Sequence, residues 1–165
     1  MTYEEALEII NKNGLKKTYE DALEKELPVV ISRDALVEEV GKRRDMTYSE
    51  TFKFLMDNKD VEKEEVKNVL NNQVHEARRE GKDVIIDMTN MSKKSRRRWV
   101  NEFSKYNKRV VLFVSGFNTL LDCNVKRGDE TGKIIHKGTL KGMCGSFSLP
   151  LYGEGFSVVD IVWND

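Results

Sequence analysis

The chain has 165 residues, a length that predicts one domain, 1–165, with a core of its own. Charged residues make up 34% and hydrophobic residues 39%, a composition typical of a soluble globular protein and not of a disordered one. The 28 basic and 28 acidic side chains cancel, so any attraction to nucleic acid must come from where the charges lie.

No segment has the features of a membrane helix or a signal peptide. The longest apolar runs, such as 110–114, fall far short of the roughly 20 residues that a membrane helix needs. The first ten residues, MTYEEALEII, are acidic and lack a basic leader. Cys123 and Cys144 fit no metal-ligand spacing and are too few for a disulfide framework. We therefore expect free thiols in a cytoplasmic protein.

Three segments share a helix-start pattern, a threonine followed three residues later by an acid. They begin at Thr2, Thr18 and Thr47. The first two, TYEEALE and TYEDALE, either record a small duplication or are two helix starts built alike. Because two copies do not establish a repeat array, we favour the second interpretation.

The predicted elements alternate between strands and helices. In chain order we predict a strand at 29–32, helices at 34–43, 47–56 and 61–80, a strand at 82–87, a helix after Ser92, a strand at 109–114, a helix at 117–126, a loop at 128–138 and a strand at 158–163. The apolar residues of the strands are consecutive, which indicates burial on both faces. The sequence thus predicts an α/β fold, a parallel sheet of four or five strands covered by helices.

Ligands bind such sheets at the carboxyl ends of the strands. The polar residues at three predicted strand ends lie at 32–34, 87–90 and 115–116. Two of these ends carry an aspartate, Asp34 and Asp87. We expect a functional site there.

Four stretches together resemble the kinase domain of the phage-type 5′-polynucleotide kinases and their P-loop relatives. They are VVISRDAL, where Arg33 and Asp34 open a helix; VIIDMTNMSKKSRRRW; NVKRG, which contains Arg127; and Pro150 followed by EGF and the strand VVDIVW. The resemblance runs from about residue 16 to the end. It implies a three-layer P-loop-kinase-like sheet with a helical lid at 117–145.

The resemblance also implies roles in ATP- and Mg²⁺-dependent phosphoryl transfer, which needs positioning and charge neutralisation. Asp34 would accept the proton of an attacking 5′-hydroxyl, although the same residue could simply cap the helix that follows. Arg127 would stabilise charge on the β- and γ-phosphates, with Lys126 beside it on the nucleotide; the alternative is that Arg127 is simply a solvated arginine. Asp87 would orient Mg²⁺ through water; the alternative is a hydrogen bond to the turn at 89–90.

The remaining residues of the resemblance point to DNA or RNA 5′ ends. We assign nucleic-acid binding to Arg33, Thr89, Asn90, Arg96, Arg97 and Arg98. The three arginines belong to a run of five cations at 93–98 without an acid, which could follow a phosphate backbone. A solvated helix face explains such a run about as well.

The phosphate-binding loop of this family, G-x-x-x-x-G-K-S/T, is degenerate here, and we call 1–28 the degenerate P-loop region. At the expected place Lys17 and Thr18 match the final pair and are predicted to bind the cofactor, but Asn11 and Lys16 replace the glycines. A lysine at the second position would cost roughly 1–3 kcal/mol of backbone strain. The Gly-Lys pair that ends at Lys133 has no strand before it and is not a P-loop.

The strand before that loop lies in the middle of the sheet in this family, and three alternatives follow. Residues 7–10 form a short central strand in spite of a helical pattern, a second polypeptide supplies the strand with an intact P-loop, or the sheet closes without it.

Three functions remain open. The first is an ATP-dependent nucleic-acid 5′-hydroxyl kinase, impaired or dependent on a partner chain. The second is a non-catalytic nucleic-acid-binding descendant, and the third is a toxin-like kinase of small metabolites. Val37 and Cys123 stand where the family has arginines, which argues against catalysis more than against ancestry.

Overall fold

The structure, a computed structural model, describes residues 28–164. The predicted helix starts at Thr2 and Thr18, the cofactor residues Lys17 and Thr18, and the candidate strand at 7–10 lie outside the described residues.

The described part of the chain alternates short parallel strands with helices. Its first half contains β1 (Val29–Ile31), α1 (Arg33–Arg44), α2 (Tyr48–Asp57), α3 (Lys59–Glu62), a π-helical segment (Lys63–Asn68) and α4 (Val69–Glu80). The second half contains β2 (Val84–Ile86), α5 (Lys93–Glu102), β3 (Arg109–Ser115), α6 (Phe117–Thr131), α7 (Lys137–Gly145), a 3₁₀ turn (Tyr152–Glu154) and β4 (Val158–Asn164). The predicted α/β class is confirmed.

Side chains satisfy the free N–H groups at the starts of three helices. The Ser32 hydroxyl accepts from the N–H of Ala35 at α1, and Thr47 and Ser92 form capping boxes at α2 and α5. Because Ser32 caps α1, the alternative that Asp34 is the cap is wrong. Asp34 lies in the first turn, where the helix dipole favours its negative charge.

Two predicted boundaries differ from the structure. The helix predicted at 61–80 is divided into α3, the π-helical segment and α4, although it ends as expected at Gly81, whose φ is 66°. The loop predicted at 128–138 is much shorter, because α6 continues to Thr131. The Asn124 side chain bonds both the N–H and the carbonyl of Ile135, at 2.9 and 2.8 Å, and so holds the returning chain against α6.

The four described strands form two parallel pairs. β1 pairs with β2 in the register Val29↔Val84 to Ile31↔Ile86, and β3 pairs with β4 from Arg109↔Val158 to Ser115↔Asn164. Within residues 28–164 the two pairs are not hydrogen-bonded to each other. A single sheet of four or five strands is therefore not seen in this part of the chain.

One face of the first strand pair is buried in the core, and the opposite face is exposed. The core combines Ile31 with residues of α1, α2, the π-helical segment, α4 and α5; its members are Ile31, Leu36, Val37, Val40, Leu55, Val66, Leu70, Val74, Trp99 and Phe103. On the opposite face Val30 and Ile85, which are partners in the register, are 52% and 46% exposed. The expected double burial of β2 is not met by the described residues.

The first two helices approach each other closely at Gly41. A Cβ atom there would lie 2.5 Å from the Thr51 hydroxyl oxygen and 3.0 Å from the Met46 carbonyl oxygen. A glycine allows this contact because it has no side chain. The contact fixes α2, and with it Tyr48, against α1 just beyond the end of β1.

Both cysteines are free thiols, as expected. Across residues 28–164, none of the helices combines the length and the apolar character needed to cross a bilayer.

Candidate active site

The carboxyl ends of β1 and β2 lie side by side, because the two strands are parallel and in register. The N–H of Asp87 donates to the carbonyl oxygen of Ile31 at 3.0 Å. Arg33 and Asp34 follow Ile31 after one residue, so the two predicted aspartate-bearing strand ends meet at one edge, as the sequence indicates.

Asp34 is the centre of a polar cluster at this edge. Its carboxylate accepts a hydrogen bond from the Tyr48 hydroxyl at 2.9 Å and forms an ion pair with the Lys133 ammonium at 2.8 Å. Partial burial raises the pKa of Asp34, but the hydrogen bonds from Lys133 and Tyr48 and the charges of Lys133 and Arg33 outweigh it, so that the net pKa is lowered. Asp34 is therefore ionised at neutral pH.

Lys133 reaches this cluster from the loop between α6 and α7. Its ammonium also lies 3.3 Å from a Glu38 carboxylate oxygen and 4.3 Å from the centre of the Tyr48 ring, and its side chain is only 16% exposed. Lys133 was not among the predicted site residues, because its contact with Asp34 joins distant parts of the chain and no local spacing in the sequence predicts it. The loop between α6 and α7 thus contacts the edge that carries Asp34.

Tyr48 is held as a neutral hydrogen-bond donor. Burial raises its pKa, and the hydrogen bond to Asp34 and that carboxylate's charge raise it further. Its hydroxyl therefore stays protonated and keeps Asp34 in place.

Arg33 is anchored beside the cluster. Its guanidinium bonds the Glu62 carboxylate at 3.3 Å and lies 5.8 Å from the centre of the Phe52 ring. Burial raises the pKa of Glu62, but hydrogen bonds from Lys67 and Arg33 lower it by more, so its net pKa is lowered. The Arg33 side chain is about one-third exposed and forms an ion pair with the Glu62 carboxylate.

Arg127, a predicted catalytic residue, is linked to the cluster through Lys133. Its Nε donates to the carbonyl oxygen of Lys133 at 3.1 Å and its Nη2 to the Asn124 side chain at 3.0 Å. In this arrangement Arg127 shapes the loop that carries Lys133. Lys126 points outward, 76% exposed and 4.0 Å from Glu130.

The polar residues after β2 are open to solvent. Asp87 and Thr89 are exposed, and within residues 28–164 the Asp87 carboxylate makes no hydrogen bond or ion pair, so a bond to the turn at 89–90 is not seen. Asn90 has a positive φ of 33° and directs the chain toward α5. The described residues contain no group of three or more His, Cys, Asp or Glu that could hold a metal.

Arg96, assigned to nucleic acid from the sequence, is a buried structural residue, and that expectation is corrected. It is 4% exposed, its Nε and Nη2 bond the Glu154 carboxylate at 2.9 and 2.7 Å, and its Nη1 bonds the Ser148 carbonyl at 2.9 Å. Its position three residues before Trp99 puts it on the inward face of α5. This spacing to Trp99 was the feature of the sequence that could have predicted the burial of Arg96.

The remaining cations of α5 are on the surface. Lys93, Lys94, Arg97 and Arg98 are exposed. Arg98 lies 4.7 Å from the centre of the Trp99 ring and bonds the Asn71 side chain at 3.0 Å. These four side chains form the basic surface of α5.

The two positions where arginines were expected from the resemblance differ in environment. Val37 is fully buried in the core, so an arginine there would not fit the present packing. Cys123 is exposed on α6.

Comparison with known proteins identifies one family. A model described as an AAA domain matches residues 16–150, most of the chain. No solved structure matches the chain.

Proposed function

Because the chain belongs to the AAA domain family, a P-loop NTPase- and kinase-like group, we propose that it works in an ATP-dependent phosphotransferase that phosphorylates the 5′-hydroxyl of a nucleic acid. The observation that carries the proposal is the ionised Asp34 carboxylate at the carboxyl end of β1, held by Tyr48 and Lys133. Such a group suits the binding of an acceptor hydroxyl.

Asp34 has room for that hydroxyl without losing its present partners. A carboxylate offers about four lone-pair sites, and Tyr48 and Lys133 use one on each oxygen. The Asp34 side chain is 53% exposed, so an acceptor molecule in solvent can reach it.

In the proposed reaction the 5′-oxygen forms a bond to the γ-phosphorus of ATP while the bond from that phosphorus to the bridging oxygen breaks. ADP leaves, and the hydroxyl proton passes to Asp34. Because the transition state of phosphoryl transfer is loose, a carboxylate of low pKa suffices to orient the hydroxyl and accept its proton late. Lys133 is close enough to balance the negative charge of Asp34.

Asp87 is the residue that would hold Mg²⁺ through water, next to the same strand end. When bound, the ion would neutralise charge on the phosphates. The basic surface of α5, which follows β2, would bind the phosphate backbone of the nucleic acid.

A second candidate function is favoured by the degenerate loop. With Asn11 and Lys16 in place of glycines, the chain on its own would bind nucleic acid through α5 without catalysis. In that case Asp34 would have no part in recognising the 5′ end.

The test is a fluorescence-anisotropy titration of single-stranded oligonucleotides that carry either a 5′-hydroxyl or a 5′-phosphate. The wild-type chain should bind the 5′-hydroxyl form at least roughly tenfold more tightly, because a terminal phosphate is repelled by Asp34 and cannot donate a hydrogen bond to it. Asp34→Asn should bind both forms about equally. Glu39→Gln, an exposed acid on the same helix, serves as the matched control and should keep the preference.

Equal affinity of the wild-type chain for the two oligonucleotides would contradict the proposal. Salt-dependent binding without that preference would support the non-catalytic alternative. Weak binding of both oligonucleotides, together with phosphorylation of a small hydroxyl compound, would favour the metabolite kinase.

A further inference from the structure

Two of the four cations on the basic surface of α5 line a groove between that helix and the 3₁₀ turn that precedes β4. We call it the α5 groove; its lining residues are Lys93, Arg97, Val100, Asn101, Gly153 and Glu154. Its volume is about 260 Å³, less than that of most pockets that enclose a whole small ligand. A groove of this size suits one unit of a longer chain molecule that continues beyond it.

Buried contacts fix the two walls of the groove to each other. Arg96 of α5 bonds the Glu154 carboxylate of the turn at 2.9 and 2.7 Å, and both side chains are only 5% exposed. After the turn Gly155 lies against Val100, since a Cβ atom at Gly155 would be 3.0 Å from the Val100 Cγ1. The groove is thus formed before a ligand arrives, which reduces the cost of ordering it on binding.

The groove carries an excess of positive charge. The Glu154 carboxylate is already paired with Arg96. Lys93 and Arg97 are exposed, and their side chains form no ion pair or hydrogen bond with any of the residues 28–164. Because they are four residues apart, they lie on one side of α5, about 6 Å from each other along its axis. Two unpaired cations in this arrangement favour a ligand whose negative charges repeat along a chain.

The turn beside the groove exposes an aromatic ring. Tyr152 directly precedes Gly153 and is 65% exposed. Sites for single-stranded nucleic acid combine cations that neutralise the phosphate backbone with aromatic rings on which the bases stack. A duplex could not use both parts together, because its bases are already stacked and paired. The composition of this wall therefore favours an unpaired strand.

We propose that the α5 groove binds one nucleotide of a single-stranded nucleic acid, with the two flanking phosphates at Lys93 and Arg97 and the base stacked on Tyr152. The inference rests on the proposed function for the class of ligand. It narrows the nucleic-acid contact of α5 to one side of the helix and requires an unpaired strand there.

The experiment measures binding of the full chain to a 3′-labelled oligothymidylate of about 12 nucleotides, by fluorescence anisotropy at several salt concentrations. The oligonucleotide is used with a 5′-hydroxyl and with a 5′-phosphate. The groove variant combines Lys93→Gln with Arg97→Gln. Its matched control combines Lys94→Gln with Arg98→Gln, which removes the same charge from the same helix outside the groove. Thermal unfolding midpoints verify that each variant is folded.

The groove variant should bind both oligonucleotides at least tenfold more weakly at low salt. It should also reduce the steepness of log K against log salt by about 1.4, because each lost phosphate contact with a single strand removes about 0.7. The control variant should reduce this steepness by less than about 0.7.

The stacked base is tested at Tyr152. Tyr152→Ala should weaken binding of the oligothymidylate at least fivefold and leave binding of an abasic oligonucleotide of the same length unchanged, because only a base can stack on the ring. Phe147→Ala, which removes another exposed ring from the segment before the turn, should have no such effect.

Four results would overturn the inference. Equal losses in the groove and control variants would show that the strand contacts the whole basic surface of α5 and not the groove. A Tyr152→Ala variant with unchanged affinity, or with the same loss for the abasic oligonucleotide, would exclude the stacked base. Equal affinity for the duplex with oligoadenylate would exclude a site for unpaired nucleotides. No binding of either oligonucleotide would exclude nucleic acid and leave an acidic protein surface as the class of ligand.

The two oligonucleotides separate this inference from the proposed function. The ratio of their affinities reports on Asp34 and should be the same in the groove variant as in the wild-type chain. A loss common to both oligonucleotides reports on the groove. Either result can be obtained without the other, so the failure of one proposal is distinguishable from the failure of the other.

Discussion

Replacing Lys133 by methionine tests the contact between Asp34 and the loop that joins α6 to α7. The substitution keeps the apolar stem and removes the charge that lies 2.8 Å from Asp34. At that distance two unit charges attract by about 1.5 kcal/mol in bulk water and about 6 kcal/mol at an effective dielectric constant of 20. Because the Asp34 side chain is 53% exposed, the value is close to the lower limit, and ordering the lysine reduces it to about 1 kcal/mol.

The measurement is a double-mutant cycle of urea unfolding at neutral pH with Lys133→Met, Asp34→Asn and the double variant. A coupling energy of about 1 kcal/mol is expected. Glu38→Gln is the control for the second acid that contacts the lysine.

The pH dependence of this coupling has a definite sign. The pKa of Asp34 is lowered on folding, so the stabilisation is present above the unfolded value of 3.8 and is lost as pH falls through the folded value. A coupling energy within about 0.5 kcal/mol of zero at neutral pH, or one that survives full protonation of Asp34, would refute the reasoning.

Three further predictions concern stability and are measured by urea unfolding. Arg96→Met should destabilise the fold by about 3–5 kcal/mol because it leaves the buried Glu154 carboxylate without its ion-pair partner, whereas Arg97→Ala should change the free energy of unfolding by less than about 0.5 kcal/mol. Similar effects of the two substitutions would contradict the assignment of Arg96 to the interior and Arg97 to the surface. Gly41→Ala should lower the free energy of unfolding by about 1–3 kcal/mol, while Gly142→Ala, at a position where a Cβ atom has no neighbour within 4 Å, should raise it by about 0.5–1 kcal/mol. A more stable Gly41→Ala than Gly142→Ala variant would contradict the close contact between α1 and α2. The pKa of Glu62 is lower in the folded chain than its unfolded value of 4.5, so the ionised carboxylate stabilises the fold above that pH and this stabilisation is lost as pH falls. Glu62→Gln should therefore make the free energy of unfolding fall less steeply below pH 4.5. An unchanged fall would contradict this prediction.

Helix starts were predictable from the sequence because they depend on neighbouring residues. Thr47 and Ser92 cap α2 and α5 as predicted, since a capping side chain bonds an N–H only two or three residues ahead. Gly81 ends α4 for a similarly local reason, its positive φ.

The division of the sheet was not predictable from the apolar runs. A continuous run such as VII at Val84–Ile86 indicates burial on both faces but does not identify the neighbouring strand. Pairing is set by distant segments, and the candidate central strand at 7–10 has a pattern that suits a helix at least as well.

The candidate site was predictable only in part, for the same reason. The rule on strand ends located Asp34 and Asp87, because it follows from topology. It could not find Lys133, which reaches Asp34 from the loop between α6 and α7. The burial of Arg96 was within reach of the sequence, since its spacing to Trp99 and Phe103 follows the apolar face of α5.

The central claim, that Asp34 binds the 5′-hydroxyl of a nucleic acid, is tested most directly by the side-chain carboxyl ¹³C resonance of Asp34. This resonance should shift when a 5′-hydroxyl oligonucleotide is added and should stay in place with the same oligonucleotide lacking only the 5′-oxygen. Identical behaviour with the two oligonucleotides, shifted or not, would contradict the claim.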